Sequence, residues 1–342
     1  MLNETERNQV ECDVPCNLCN STAVDVLSVK DRKGNDLRTV ICEKCGLIWS
    51  DPRPNEELIK EFYSTEYRRE YKGIARPKKK HVYRDAKEAI RRYRFIEDLL
   101  AREDSLLDIG AGNGVFVYCL RKLGFNAEGI GPDENLSRYA REVLHVPVKT
   151  GFAADLRDEE SYDIVTLHHV LEHMTDPSAE LKNIRAMLKQ HGKLVVEVPN
   201  AEDTWQDPKN RYHKAHVYTF NPETLIALGE CAGFRALRKR IAPHNGNITA
   251  VFQKRGRCLH NSVDLNTNYA KITTILRRHT NYRHFLSVVP YKKILVSAVA
   301  AVAEQIAVRK FFTDTEIIDT VIDSEVKPEG TTANSGAYVE ML

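Results

Sequence analysis

The 342-residue chain has almost no net charge. Its 50 basic residues against 48 acidic leave a formal +2, which excludes a polyanion binder by bulk charge while leaving room for local clusters. It also has no long apolar run. The most apolar stretch, from Ile294 to Val308, is broken by Ser297, Glu304 and Gln305 and is shorter than the ~20 residues that cross a bilayer. A spanning helix is thereby excluded, whereas peripheral membrane contact by a helix over 291–312 is not. The first ten residues lack the apolar centre of a secretory signal, which predicts a cytoplasmic protein. Internal repeats are missing too, and 17 Gly with 13 Pro are too few for collagen-like or low-complexity chains. What is left is a soluble globular protein long enough for about two domains.

Eight cysteines are present, and a reducing cytosol makes disulfides the wrong reading for them. Cys16 and Cys19 form one CxxC pair and Cys42 and Cys45 another, with β-rich segments between them. Each CxxC turn presents two thiolates to one ion, so two of them close the four-sulfur shell of a structural zinc ribbon. Cys12 fits that pairing less well, and Cys119, Cys231 and Cys258 read as packing residues. The ribbon is placed over 1–54.

Pro52 and Pro54 make a stiff connector, followed by a helical run with Phe62, Tyr63, Tyr67 and Tyr71. Residues 68–94 are rich in Lys and Arg, including Lys78, Lys79 and Lys80: either a solvated helix face or a surface for an anionic ligand. An amphipathic helix is predicted over 83–102, with Ala89, Ile90, Tyr93, Ile96, Leu99 and Leu100 as its stripe. The segment 55–104 is read as a helical linker or lid. From residue 105 to 256, short apolar strands alternate with helices. This pattern predicts an α/β fold with a doubly wound, mostly parallel seven-stranded sheet. A helical extension over 257–326 and a disordered tail over 327–342 complete the chain.

The sequence Leu-Leu-Asp-Ile-Gly-Ala-Gly-Asn-Gly at 106–114 stands where the first of these strands turns into a helix. Its glycines, Gly110, Gly112 and Gly114, let backbone approach a ligand at the carboxyl end of the sheet. The spacing is GxGxG, and Asp108 would repel phosphates but suits an ammonium or sulfonium. An NAD dehydrogenase is excluded on both counts.

This segment resembles motif I of the class I S-adenosylmethionine (SAM) dependent methyltransferases, whose fold is Rossmann-like. Asp163 to His173 with Asp176 and Pro177, Gly192 to Asn200, and His216 to Phe220 resemble later elements of that superfamily, in the same order. The ribbon, with Cys42, Cys45, Gly46 and Pro52 to Pro54, resembles the N-terminal zinc module of a bacterial subgroup found in sugar and polysaccharide pathways. The resemblance implies that Gly110, Ala111, Gly112, Asn113 and Gly114 line the cofactor and that Asp108 anchors its amino group, directly or through water. It makes Asp155 the candidate for adenine, with a plain loop carboxylate as the alternative. One of His168 and His169 would face the cofactor and the other pack.

Methyl transfer needs an aligned acceptor and, for a hydroxyl, a group to take its proton. His173, in the family's Leu-Glu-His motif, and His213 and His216, on the expected pocket cap, are the candidates, each with a structural role as the alternative. Tyr63 could close the pocket. Related sugar C-methyltransferases carry a Glu-His pair where this chain has Ala215 and His216, so their mechanism does not transfer whole. The second strand of the superfamily ends in an acid that holds the ribose, and here Gly131 stands in its place. Either Asp133 reaches around Pro132, or the cofactor binds weakly, or the gap admits a modified SAM or marks lost catalysis.

The sequence thus predicts a methyltransferase acting on a small polar acceptor, a nucleotide-linked sugar or glycan. The competing reading is a zinc-ribbon RNA-binding protein or RNA methyltransferase using residues 68–94. The chain lacks the Asn/Asp-Pro-Pro-Tyr/Phe signature of amino-group base methylation, which counts against it.

Overall fold

Neighbouring residues on the central strands point to opposite faces of a sheet, as strand geometry requires. Leu107, Val165, Val196 and Phe252 belong to one buried cluster, while Leu106, Ile164, Val195 and Val251 belong to another on the opposite face. In this computed structural model, which describes residues 10–54, 76–156, 159–255, 265–326 and 338–341, those strands form one large twisted layer. From one edge the order is Val148–Thr150, Asn126–Gly131, Ser105–Ile109, Tyr162–His168, Leu188–Pro199, Asn247–Lys254 and Phe234–Ile241. The first five are parallel and Asn247–Lys254 runs antiparallel to both of its neighbours. These are the seven predicted strands.

An eighth strand, Tyr338–Met341, pairs with residues 238–241 at the far edge, where the sequence predicted a disordered tail. The pairing partner is about a hundred residues away in the chain, so no local signal announces it.

Ser105–Ile109 lies between Asn126–Gly131 and Tyr162–His168. Connections leave it in opposite directions, and the crevice this creates at the strand ends is where open α/β sheets bind ligands.

Helices cover both faces. Lys79–Ile96, Val115–Lys122 and Asp314–Glu325 pack on one side through Val82, Ala86, Ile90, Phe116, Ile317 and Val321. Pro177–Met187 and Pro222–Cys231 pack on the other through Leu181, Ile184, Leu225 and Leu228. Residues 79–96 are therefore a layer of the main domain rather than part of a lid. The remainder of that predicted segment, 55–75, with Tyr63 and Tyr67, falls outside the described residues, as does Cys258.

The ribbon is not a separate body either. Its antiparallel strands Ala23–Lys30, Asp36–Cys42 and Ile48–Ser50 are extended by Tyr218–Thr219, with Tyr218 opposite Trp49. Leu47, Trp49 and Val40 share one buried cluster with the large sheet, and Asn17 binds Asp176 and Ser178.

Candidate functional site

Two equivalent turns build the cysteine site. In each, the residue after the second cysteine donates its backbone N–H to the carbonyl of the first, Asn20 to Cys16 and Gly46 to Cys42, both at 2.9 Å. Both Asn20 and Gly46 sit at positive φ, 56° and 77°. The sulfurs of Cys16 and Cys45, and of Cys19 and Cys42, approach to 3.5 Å, and all four lie within 4.8 Å of one another. A tetrahedron of zinc–sulfur bonds of ~2.3 Å has edges of ~3.8 Å, so the donor set fits zinc.

At the carboxyl ends of the parallel strands lies a cavity of about 470 Å³. Gly110, Gly112, Gly131, Asp133, His168, His169 and His173 line it, with Ile130, Leu136, Phe152 and Met174 as apolar walls. Gly110 has φ +78° and a Cβ there would stand 2.3 Å from Val170 Cγ2, so the loop accepts only glycine. A Cβ on Gly131 would meet only ordinary contacts, Gly112 N at 3.6 Å and Ala111 N at 3.7 Å. The place of the expected ribose acid is therefore open toward the glycine loop.

Asp133 reaches the same cavity, but its Oδ1 accepts from Asn135 N at 2.9 Å and Leu136 N at 3.2 Å and so caps the helix Glu134–Glu142. Replacing Gly131 by Glu should tighten SAM binding by about tenfold for each ribose hydrogen bond restored, since bonds to a charged group contribute ~1.5–3 kcal/mol. Calorimetric titration reads this, and abolished binding would mean that another group fills the space.

The remaining expected cofactor residues stand behind the wall. Asp108 is buried, accepts from Thr166 Oγ1 at 2.7 Å and lies 3.4 Å from His168 Nδ1. Asn113 donates to Asp85 at 2.6 Å, and Gly114 lies against Ala140. Ala111 occupies the space above Gly129. Asp155 turns its carboxylate back onto Phe152 N at 2.8 Å, so the cavity wall there is formed by residues 151–154 instead. None of these five lines the cavity itself; each makes contacts that hold the loop around it. A carboxylate next to a turn satisfies the nearest free N–H, and its sequence position alone does not reveal that choice.

A second cavity of about 300 Å³ lies beside the first and is lined largely by polar residues, among them Asn200, Asp203, Asp207, Arg211, His213, His216 and Asn247. Histidines separate the two. His173 lines the first cavity, and its ring meets that of His216 edge-on at 4.9 Å, while His213 lies 3.8 Å from His216. His173 Nδ1 bonds to the Ala215 carbonyl at 2.5 Å, which fixes the ring.

Glu172, buried behind them, was missed as a site residue. Neither of its oxygens has a hydrogen bond among the described residues, yet it lies 3.4 Å from His169 Nδ1 and 3.8 Å from His173 Nε2. Donor atoms of Glu172, His173 and His216 lie within 4.8 Å of one another, a spacing that would admit an ion. His169, however, already balances this carboxylate.

Glu197 is the second missed residue. This fully buried acid on an apolar strand binds Arg92 at 2.9 Å, Arg91 at 2.5 Å and Thr249 Oγ1 at 3.0 Å, and lies 3.5 Å from His169 Nε2. A lone carboxylate within Leu-Val-Val-Glu-Val-Pro was the signal, because a buried charge needs partners. Burial pushes its carboxyl up, but His169, then the two arginines, holds it well below the usual range.

Burial disfavours the charged form of His169, but Glu172 and Glu197 hold it up at about 9. This contribution to stability is complete below the ordinary value of 6.5 and is lost as pH rises through about 9. The melting temperature should therefore fall over that interval, and His169→Gln should flatten the fall in a calorimetric pH series. His216 behaves oppositely: burial, and then the rings of His173 and His213, hold it well below 6.5, while burial and Arg32 bring His213 to about 4. Both rings are neutral at pH 7.

Several arginines of the basic run already have partners. Among its described residues, Arg76 binds Asp314, Arg84 binds Glu304, Arg91 and Arg92 bind Glu197, and Arg94 binds the Glu325 carbonyl.

Residues 79–239 match the family model of a methyltransferase domain. Among curated proteins, a ubiquinone biosynthesis O-methyltransferase of Coxiella burnetii is 29% identical over 135 residues, 37% of this chain and 53% of that protein. Its counterpart in Bradyrhizobium diazoefficiens is 38% identical over 103 residues, 28% of this chain and 40% of that one. The chain thus spans about half the length, or less, of these relatives. Similar solved structures include the 1,6-didemethyltoxoflavin-N1-methyltransferase of Burkholderia thailandensis, at 16% identity and TM-score 0.44, covering 61% of this chain and 96% of that one. Another is a SAM-dependent methyltransferase of Archaeoglobus fulgidus, at 18% identity and TM-score 0.43, covering 49% and 94%.

Proposed function

We propose that this chain is a SAM-dependent methyltransferase of a small, hydroxyl-rich acceptor, a nucleotide-linked sugar or glycan, and that Cys16, Cys19, Cys42 and Cys45 hold a structural zinc ion. The observation that carries the reading is the pair of cavities meeting at the His173–His216 rings. SAM, when bound, supplies an electrophilic methyl on a sulfonium. Gly110, Gly112 and Gly131 leave the first cavity open to backbone contact, and Ile130, Leu136 and Met174 give it apolar walls. Asn200, Asp203, Arg211 and Asn247 offer donors and acceptors to hydroxyls in the second. Asn200 Nδ2 is buried without a partner among the described residues, as a group awaiting a polar ligand would be.

His216, neutral at pH 7 and facing the second cavity, takes the proton as the acceptor oxygen gains the methyl. His173 orients His216 from the cofactor side, and Glu172 lies behind it. Incubation with methyl-labelled SAM and a panel of nucleotide-linked sugars and phenolic lipids tests the acceptor. Label should appear on a sugar. Transfer only to the phenols, the chemistry suggested by the relatives' names, would overturn the sugar reading.

A further inference from the structure

Among the described residues, every large apolar side chain that stands exposed lies between Tyr282 and Phe312, except Val26, Val29 and Met341. In the helix Val289–Ala307 only Pro290 is buried, while Ile294, Leu295, Val299 and Val302 are each 60–68% exposed. At about 3.6 residues per turn, Ile294, Leu295, Val296, Val299, Val302 and Ile306 gather on one broad face of the helix, with Lys293, Ser297 and Glu304 on the other side. An exposed apolar face this broad is ordinarily covered by protein or lipid.

The charges around it have one sign. Residues 281–312 contain Arg283, Lys292, Lys293, Arg309 and Lys310, and their single acid, Glu304, is held by Arg84 at 2.6 and 3.0 Å.

We infer that this face docks on an anionic lipid bilayer. Basic ends flanking an apolar middle complement phosphate headgroups over acyl chains, and lysine stems can lie along the apolar surface with their ammonium groups in the headgroup layer. Tyr282, Tyr291 and Phe312, all exposed, suit the same boundary. The stretch 294–308 is about 22 Å long as a helix, short of the ~30 Å hydrocarbon core, so the helix lies in the interface; no described helix is long and apolar enough to cross. A second copy fits less well. Antiparallel two-fold pairing would set Lys292 and Lys293 against the partner's Arg309 and the partner's Lys310, with no spare acid to relieve them.

The docking face adjoins the second cavity. Lys293 Nζ lies 3.5 Å from the Trp205 carbonyl, and Arg211, a cavity residue, lies 2.8 Å from His279 Nδ1 just before the exposed helices. A docked molecule holds that cavity beside the headgroups, which favours an acceptor carried on a lipid; this consequence rests on the proposed function, whereas the docking does not.

Flotation of the full chain with phosphatidylcholine vesicles, with and without phosphatidylglycerol, tests it. The protein should float with the anionic vesicles and at least about tenfold less with the neutral ones. Val299→Glu and, separately, Lys292→Glu with Lys293→Glu should lose that binding at unchanged melting temperature and unchanged SAM affinity. No flotation with either vesicle, flotation indifferent to phosphatidylglycerol, or a solution dimer dispersed by Val299→Glu would each overturn the inference. Loss of SAM binding in the native chain would count against the proposed function alone.

Discussion

Cys42→Ser should release the zinc ion and lower the melting temperature of the whole molecule, not only of residues 10–54. Structural zinc contributes roughly 10–16 kcal/mol of apparent binding free energy in small zinc domains, comparable with the ~5–15 kcal/mol that stabilises an entire domain. Without the ion, four thiols crowd within 4.8 Å with nothing to join them. The damage spreads because Trp49 pairs with Tyr218, two residues after His216, and because Cys16, Cys42 and Leu47 share a core with the large sheet. Elemental analysis should find one zinc per native chain and less in the variant. SAM binding should weaken along with acceptor binding, since the ribbon's Asn17 holds Asp176 in the wall of the first cavity. A metal-free native protein with an unaltered melting curve would remove zinc from the account.

His216→Ala should lower turnover by roughly 10²–10⁴-fold, the usual weight of a positioned proton acceptor, with SAM affinity unchanged. Because burial keeps His216 neutral well below pH 6.5, the acid limb of the native rate profile should fall below the ordinary histidine range. His173→Ala should cost less, acting through the ring it orients. Native rates in both variants would send the proton elsewhere.

The large sheet was legible because each strand is local: Leu106 to Ile109 or Tyr162 to Leu167 announces itself within its own span. Asp133, Asp176 and Asn221 cap the helices that follow them through equally local contacts. Pairings across the chain were not legible. Tyr218 joining the ribbon sheet, Tyr338–Met341 joining the large one, and Asp314–Glu325 packing on Lys79–Ile96 all depend on surfaces made by distant residues.

The site divides in the same way. Gly110, Gly112, His168, His169 and His173 were found by their place at strand ends, and they meet at one cavity. Asp108, Asn113 and Asp155, also expected at the ligand, stand just outside the cavity lining and bond to Thr166, Asp85 and Phe152. Glu172 and Glu197 became visible only as buried charges facing His169. In the second cavity, His213 and His216 were expected as a pocket cap, whereas Asp203, Asp207, Arg211 and Asn247 join them only through the fold.

The most direct test of the two-cavity account is a crystal structure of the full chain with S-adenosylhomocysteine. The account places the thioether sulfur in the first cavity, between Gly110 and His173 and on the side facing His216. A sulfur pointing away from these histidines, or a ligand bound outside that cavity, would contradict it.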